Sequence, residues 1–270
     1  MKNIVITGST RGIGFAMAKA FLEAGCQVTL SGRGEALSDA AKADLYAYVD
    51  HYIYIPCDVQ NKDSLSSLFL ASVTRWGGVD IFISNAGQNT PHLFSWETNE
   101  SDTQNIIQTN ITGMILGSQI AAAMMIKQGH GAIYSMEGLG SNNMIQKKTI
   151  LYGTTKHALT YFMKGLAKEL ETRGVIAGRL SPGMMLTDFI TKSPDGSPSE
   201  VLKDERFRKI FNILADTPEP VAAFLTRKML RNTRNNVRFA WLTSRKAAWR
   251  FLTAPFRKNR LIGQDGVPIV

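Results

Sequence analysis

Cysteine is scarce: the 270 residues hold two, Cys26 and Cys57, with no motif spacing between them. Two such thiols cannot build a disulfide framework, so reduced and buried side chains are expected. The four histidines, His51, His92, His130 and His157, lack ligand spacing, so no metal site is expected. No run of eighteen or more apolar residues occurs. The most apolar stretch, 111–126, is interrupted by Thr112, Gly113, Gly117, Ser118 and Gln119, which suits close packing in a core or subunit interface better than lipid. The chain runs straight into Ile4, Val5 and Ile6 without a basic segment, apolar core and cleavage site. No export signal is therefore expected, and the expected location is cytoplasmic.

Acidic residues are missing from one end. Residues 221–270 hold 11 Lys and Arg against the single acid Asp265, whereas the preceding 220 residues hold 20 against 21. The net charge of +9 thus belongs to the C-terminal segment, and the body is close to neutral. Hydrophobic residues at 44% and charged residues at 20% are ordinary for a globular chain, and this length fits one domain over 1–270.

Within the body, short apolar clusters alternate with amphipathic stretches. Strands are expected at 2–7, 27–31, 52–57, 79–84, 131–136 and 175–181, and helices near 13–24, 35–47, 61–76, 102–127 and 151–173. The alternation predicts an α/β fold, a single Rossmann-like doubly wound parallel sheet with helices on both faces. After residue 181 the pattern gives way to a polar insertion, 184–215, containing the turn-like Ser193-Pro194-Asp195-Gly196-Ser197-Pro198. Sheets of this class bind ligands beyond the carboxyl ends of their strands, so the insertion is expected to wall or cover a ligand; the alternative is an inert surface loop.

The first strand ends in Thr7-Gly8-Ser9-Thr10-Arg11-Gly12-Ile13-Gly14, directly before a helical run. Glycines closing a strand and opening a helix let the backbone approach a pyrophosphate, which then meets the free N–H groups of the helix. The second strand ends in Leu30-Ser31-Gly32-Arg33, without the carboxylate that would favour the ribose hydroxyls of NAD. Arg33, together with Arg11, is suited to a 2′-phosphate, so NADP(H) is the expected cofactor, although Arg33 also fits a plain surface charge. Asp58, followed by Val59, is placed to accept from an adenine amino group or to cap the helix at 61–76. Asn85-Ala86-Gly87 leaves room for the adenosine end, with Asn85 bracing nearby backbone.

Tyr152-Gly153-Thr154-Thr155-Lys156 sets a phenol and an ammonium four residues apart, on one face of a helix. A lysine charge beside a phenol is expected to stabilise the phenolate and lower its pKa. Together TGSTRGIG, NAG, YGTTK and Ser181-Pro182-Gly183 resemble the short-chain dehydrogenase/reductase family over residues 1 to about 190. The resemblance implies that Tyr152 transfers a proton and that Lys156 also holds the nicotinamide ribose. It further implies that Asn110 supports a water-linked relay and that Thr187, after Pro182-Gly183, touches the nicotinamide end. It implies a small-molecule carbonyl substrate and a homodimer or homotetramer built through the helices at 102–127 and 151–173.

The family's serine at the end of the fifth strand is displaced. The segment reads Tyr134-Ser135-Met136-Glu137-Gly138-Leu139-Gly140-Ser141, with Glu137 at the aligned place. Three candidates stand: Glu137, held protonated in an apolar cleft and donating to a carbonyl; Ser141, after a longer loop; or Ser135, after a register shift. MEGLGS, YGTTK, SPGMMLTD, FNILADTPEPVA and WLT are similar to the chlorophyll b reductase branch over about 130–245. That similarity implies NADPH reduction of the formyl group of chlorophyll(ide) b to hydroxymethyl; another aldehyde or ketone, or a non-catalytic NADP-sensing regulator, are the rival readings.

The C-terminal extension, 239–270, interleaves Trp241, Trp249, Phe251 and Phe256 with Arg245, Lys246, Arg250, Arg257, Lys258 and Arg260. It reads as a helix packed on the sheet with a solvated basic face, or as a membrane-peripheral segment lying on anionic lipid. No nucleic-acid motif accompanies the charge, so no nucleic acid partner is expected.

Overall fold

The computed structural model describes residues 1–193, 195–256 and 261–269. Pro194 of the expected turn and Arg257, Lys258 and Arg260 of the basic segment lie outside the described residues.

Seven strands form one parallel sheet: β1 Asn3–Ile6, β2 Gln27–Gly32, β3 Tyr52–Pro56, β4 Ile81–Ser84, β5 Gly131–Met136, β6 Val175–Ser181 and β7 Val237–Ala240. Their order is β3-β2-β1-β4-β5-β6-β7, so the winding reverses between β1 and β4 and opens a crevice beyond their carboxyl ends. The central strands are apolar at nearly every position because helices cover both faces. One face buries Ile4, Ile6 and Ile83 against Met17 and Phe21 of α1 (Gly12–Glu23) and against Val221, Leu225 and Met229 of α9 (Pro218–Leu230). The other buries Val5, Phe82 and Ile133 under α3 (Lys62–Trp76), α5 (Gly113–Gln128) and α6 (Ile150–Glu169). The expected doubly wound α/β architecture is the one observed.

Local chemistry explains the helix boundaries. Asn61 accepts from the N–H groups of Asp63 and Ser64 at the start of α3, and Gly77 closes it in the left-handed conformation at φ +84°. Asp58 is therefore not the cap of this helix. The stretch expected as one helix at 35–47 is instead α2 (Asp39–Asp44), capped by Ser38, followed by a separate 3₁₀ turn, Tyr46–His51. The stretch expected at 102–127 is α4 (Glu100–Ile107) running into α5 through a π-helical turn, Gln108–Thr112. The combined run Glu100–Gln128 is long and apolar enough to cross a membrane, with a mean hydropathy of 1.3. Met114, Gly117, Ser118, Ala121 and Met125 nonetheless lie inside the protein, so it serves as a core helix.

β7 is not among the strands expected from sequence. It pairs with β6 through Gly178↔Val237 and Arg179↔Arg238, so the proposed extension from 239 begins inside the sheet. The insertion is likewise anchored. It contains α7 (Asp188–Thr191) and α8 (Glu205–Leu214), and its Leu202 and Phe211 share a small core with Leu261 and Ile262 from the C-terminal segment. Asn212 reinforces this junction, donating to the Ile262 carbonyl at 2.8 Å and accepting from the Leu261 N–H at 2.9 Å. The last helix, α10 (Ser244–Leu252), is fixed by Arg250, whose guanidinium lies 2.8 Å from Asp216.

Candidate active site

The glycine-rich loop sits at the winding reversal. Gly8 has φ +62°, and a side chain there would come within 2.8 Å of the Ala86 Cα, so this turn needs glycine for both conformation and space. Asn85 fastens the contact: its Nδ2 donates to the carbonyls of Thr7 and Gly8 at 3.0 and 2.8 Å. Thr7 Oγ1 in turn accepts from the N–H groups of Asn85 and Ala86, both at 3.1 Å. Ser9 ties the loop to β2, accepting from the Ser31 N–H at 2.9 Å and donating to the Ile6 carbonyl. Helix α1 begins at Gly12 with no side-chain cap, since Arg11 at the cap position carries donors only and cannot accept from the helix N–H groups. The first N–H groups of α1 therefore remain open to an outside acceptor, and Gly12 and Gly14 add no side chain, which fits a dinucleotide pyrophosphate. Ile13 packs back against the core.

Around this cradle the remaining expected contacts divide. Arg33 is exposed at the end of β2, and the Thr10 side chain packs against Gly32 just before it. Arg11 instead lies 3.5 Å from Asp188 of α7, a largely solvated pair. Asp58 is exposed and accepts from the Gln60 N–H at 3.0 Å, while Val59 is buried against Gly113. Beyond β6, Pro182 is buried and Gly183 takes φ +79° against Leu242. The following loop brings the Thr187 methyl to 3.6 Å from where a Gly12 side chain would start, so it closes over the glycine loop.

Helix α6 presents Tyr152 and Lys156 one turn apart at the end of β5. The lysine Nζ lies 5.7 Å from the phenol ring centre and donates to the Met136 carbonyl at 3.0 Å. Burial of the Tyr152 phenol pushes its pKa well above the ordinary value. The sequence expectation of a phenol made more acidic by its lysine is therefore reversed: burial outweighs a charge whose nearest hydrogen bond goes to backbone. Burial also brings Lys156 down to about 8, with the Glu137 carboxylate opposing that fall.

The π-helical turn at 108–112 has a specific effect here. It turns Asn110 inward to 1% exposure, where Nδ2 donates to the Gln88 carbonyl at 3.0 Å and to Thr155 Oγ1 at 3.1 Å. Asn110 Oδ1 accepts from the Gln88 N–H at 2.8 Å. Asn110 is thereby joined to α6 between its phenol and its ammonium.

The three candidates for the serine's place are disposed differently. Ser135 is fully buried within β5, and its Oγ lacks a hydrogen-bond partner among the described residues. Ser141 is committed to backbone, donating to the Lys156 carbonyl at 3.1 Å and accepting from the Gly138 N–H at 3.2 Å. Glu137 points to β7, where its Oε2 accepts from Arg238 Nε at 2.7 Å. The expectation of a protonated Glu137 donating into the cleft is corrected accordingly: its carboxyl group is turned to the Arg238 guanidinium, and its neighbourhood is charged rather than apolar. What stands against the Tyr152 hydroxyl is Gly138. A side chain there would collide with the hydroxyl, and would lie 3.0 Å from Cζ and 3.2 Å from Lys156 Cγ.

Two further residues escaped the sequence reading. Phe189 of α7 lies with its ring centre 5.5 Å from that of Tyr152, so the 184–215 insertion covers the phenol with an aromatic wall. Arg238 reaches Glu137 from β7 and also donates to Ser181 Oγ at 2.8 Å. The alternation in Val237-Arg238-Phe239-Ala240 was the available signal for a strand that delivers this arginine. Among the described residues no group of three or more metal-ligating side chains gathers here or elsewhere.

A family model for short chain dehydrogenases matches residues 2–197. A probable chloroplastic chlorophyll(ide) b reductase of Arabidopsis thaliana is 30% identical over 98% of this chain and 55% of its own length. A second chloroplastic chlorophyll(ide) b reductase of Arabidopsis thaliana is 32% identical over 83% of this chain and 64% of its own. The chain thus spans between half and two thirds of the length of these relatives. Among solved structures, a 3-ketoacyl-(acyl-carrier-protein) reductase of Brucella melitensis complexed with NADH superposes with a TM-score of 0.77 at 19% identity, covering 91% of this chain and 98% of that one. With its glycine loop at the winding reversal and its Tyr-Lys pair at the crevice, the chain belongs to the short-chain dehydrogenase family of oxidoreductases.

Proposed function

We propose that this chain is an NADPH-dependent carbonyl reductase whose substrate is the formyl group of chlorophyll(ide) b or of a similar tetrapyrrole. The observation that carries the reaction class is the half-buried Tyr152 phenol, packed against Gly138 and Phe189 with the Lys156 ammonium beside its ring. The similarity to chlorophyll(ide) b reductases across nearly the whole chain favours the pigment substrate. The exposed Arg33, with no acid beside it at the end of β2, favours a 2′-phosphate.

The glycine loop and the open N-terminus of α1 would hold the pyrophosphate, Arg33 the 2′-phosphate, and Lys156 and Thr187 the nicotinamide end. When bound, the reduced dinucleotide supplies a hydride to the carbonyl carbon. Tyr152, kept neutral by burial, gives its phenolic proton to the oxygen that becomes an alkoxide. The phenolate left behind is stabilised by the Lys156 ammonium, and Asn110 fixes the backbone of residue 88 and Thr155 on either side. Phe189 excludes water from this face of the phenol.

The reading extends to assembly and location. Ile107, Ile126, Ile150 and Tyr161 are exposed on α4, α5 and α6, an apolar surface that supports a homodimer or homotetramer. Trp249, Leu252 and Phe256 are 66%, 74% and 87% exposed on the basic C-terminal segment, which favours peripheral contact with an anionic membrane. The deciding experiment follows NADPH consumption with chlorophyllide b and with a panel of simple aldehydes and ketones. Consumption with the pigment and a hydroxymethyl product support the proposal; no consumption with any carbonyl overturns it.

A further inference from the structure

Behind the Tyr-Lys pair lies a charged cluster that proton delivery as described leaves unused. Ser135, Arg179 and Arg238 stand in register across β5, β6 and β7. Glu137 and Ser181, each two residues further along, project from the same face, the one covered by α6. The Glu137 side chain is only 2% exposed, and the charged groups that face it are Lys156 from α6, Arg179 from β6 and Arg238 from β7. Arg238 spans from Glu137 to Ser181 with bonds of 2.7 and 2.8 Å, which fixes the carboxylate at the end of β5. A carboxylate without water is strongly disfavoured unless it is paired, and here the pairing partner comes from a strand over a hundred residues away.

Lys156 is itself 5% exposed, and the groups around it are the Tyr152 ring, the Met136 carbonyl and the neutral Asn110 and Gly87. Glu137 is the carboxylate acting on it among the described residues. We propose that Glu137, locked in place by Arg238, is a positioning residue that keeps Lys156 in its ammonium form inside a buried site. The inference rests on the reading that Lys156 works as a cation, but it concerns the lysine's charge and not the identity of the substrate. Burial draws the lysine down and the carboxylate draws it back, leaving it at about 8; removing the carboxylate leaves burial unopposed.

The test follows the ε-methylene carbon of Lys156 by NMR in protein carrying ¹³C-lysine, with the signal assigned through Lys156→Met and the pH raised stepwise. Glu137→Gln, which keeps shape and can still accept from Arg238, is expected to lower the titration midpoint by about one pH unit. The double variant Glu137→Gln/Arg238→Gln removes both charges together, avoids an unpaired buried cation, and is expected to lower it by less than the single variant, because loss of the neighbouring guanidinium offsets part of the effect. A midpoint unchanged in both variants overturns the proposal. Turnover with whichever carbonyl the wild type reduces supplies a second reading: the alkaline limb of the pH profile moves down with the lysine, while activity near pH 6 stays within about threefold. A wild type that reduces no carbonyl would refute the reductase function yet leave the lysine titration to decide this inference.

Discussion

Replacing Gly138 with alanine adds one carbon at the most sensitive point of the site. Gly138 does not occupy the left-handed region, so alanine is permitted by the backbone and the substitution tests space alone. The added carbon meets the Tyr152 hydroxyl directly, and lies 3.0 Å from Cζ and 3.2 Å from Lys156 Cγ, against an ordinary carbon–carbon separation of about 3.5–4.0 Å. The ring must move off Gly138, and clearing the hydroxyl requires a shift on the order of 1 Å. A misplacement of that size costs roughly a hundredfold in rate, or about 2.7 kcal/mol of transition-state stabilisation.

The expected result is a Gly138→Ala enzyme with kcat down about a hundredfold and NADPH affinity within about threefold of wild type, because the glycine loop is untouched. The assay is steady-state NADPH consumption together with NADPH fluorescence titration. Introducing the same change into a Tyr152→Phe background separates geometry from general damage: with no hydroxyl to displace, the added methyl should cost little more. A Gly138→Ala enzyme that turns over at the wild-type rate would refute the claim that the hydroxyl needs this vacancy, and so would an equal loss in both backgrounds.

Three other outcomes are expected. Reduction rate should fall as pH rises through about 8, because Lys156 loses its proton there while burial keeps the Tyr152 phenol protonated; a rate still rising at pH 9 would contradict it. Arg33→Ala should weaken NADPH binding by about tenfold or more and leave NADH binding nearly unchanged, as measured by fluorescence titration of each. Arg250→Ala should destabilise the fold by roughly 3 kcal/mol, read by denaturant unfolding, since it removes the bonds to Leu214 and Asp216 and leaves the Asp216 carboxylate without its cation, held by the Trp241 N–H.

The features legible in the sequence are those in which one residue type has one physical use. Six strands were readable because buried parallel strands are continuous apolar runs, and the glycine loop because its turn tolerates no side chain. β7 was not, since Val237-Arg238-Phe239-Ala240 is short and only partly buried, follows a polar turn, and carries a cation whose reason is a carboxylate 101 positions away. Helix 35–47 was overextended because Leu45 is drawn into the core and a new turn begins at Tyr46. The three serine candidates rest on alignment along a strand, which gives the side of the sheet but not which side chain finds a partner first. Glu137 and Ser141 were both plausible donors until Arg238 and the Lys156 carbonyl were seen to occupy them. Phe189 was invisible for a similar reason: nothing local marks which residue of an insertion will fold over a phenol.

The glycine at 138 and the acid at 137 bear on one another. A site of this family that carries no hydroxyl opposite its tyrosine has lost a donor to the substrate oxygen, so proton delivery falls on the phenol alone. Desolvation makes this half-buried phenol a weak acid, and the conjugate base it leaves must be stabilised by a cation already in place. That cation is also buried, where burial works against its charge, and the group that opposes this is Glu137. Glu137 faces away from the substrate, sustains the ammonium from behind, and is itself held by a guanidinium from the last strand. Substituting the acid while keeping the glycine would therefore weaken the lysine, and restoring a side chain at 138 while keeping the acid would displace the tyrosine. The two positions therefore act on one pair: Gly138 leaves the Tyr152 hydroxyl its place, and Glu137 acts on the charge of Lys156.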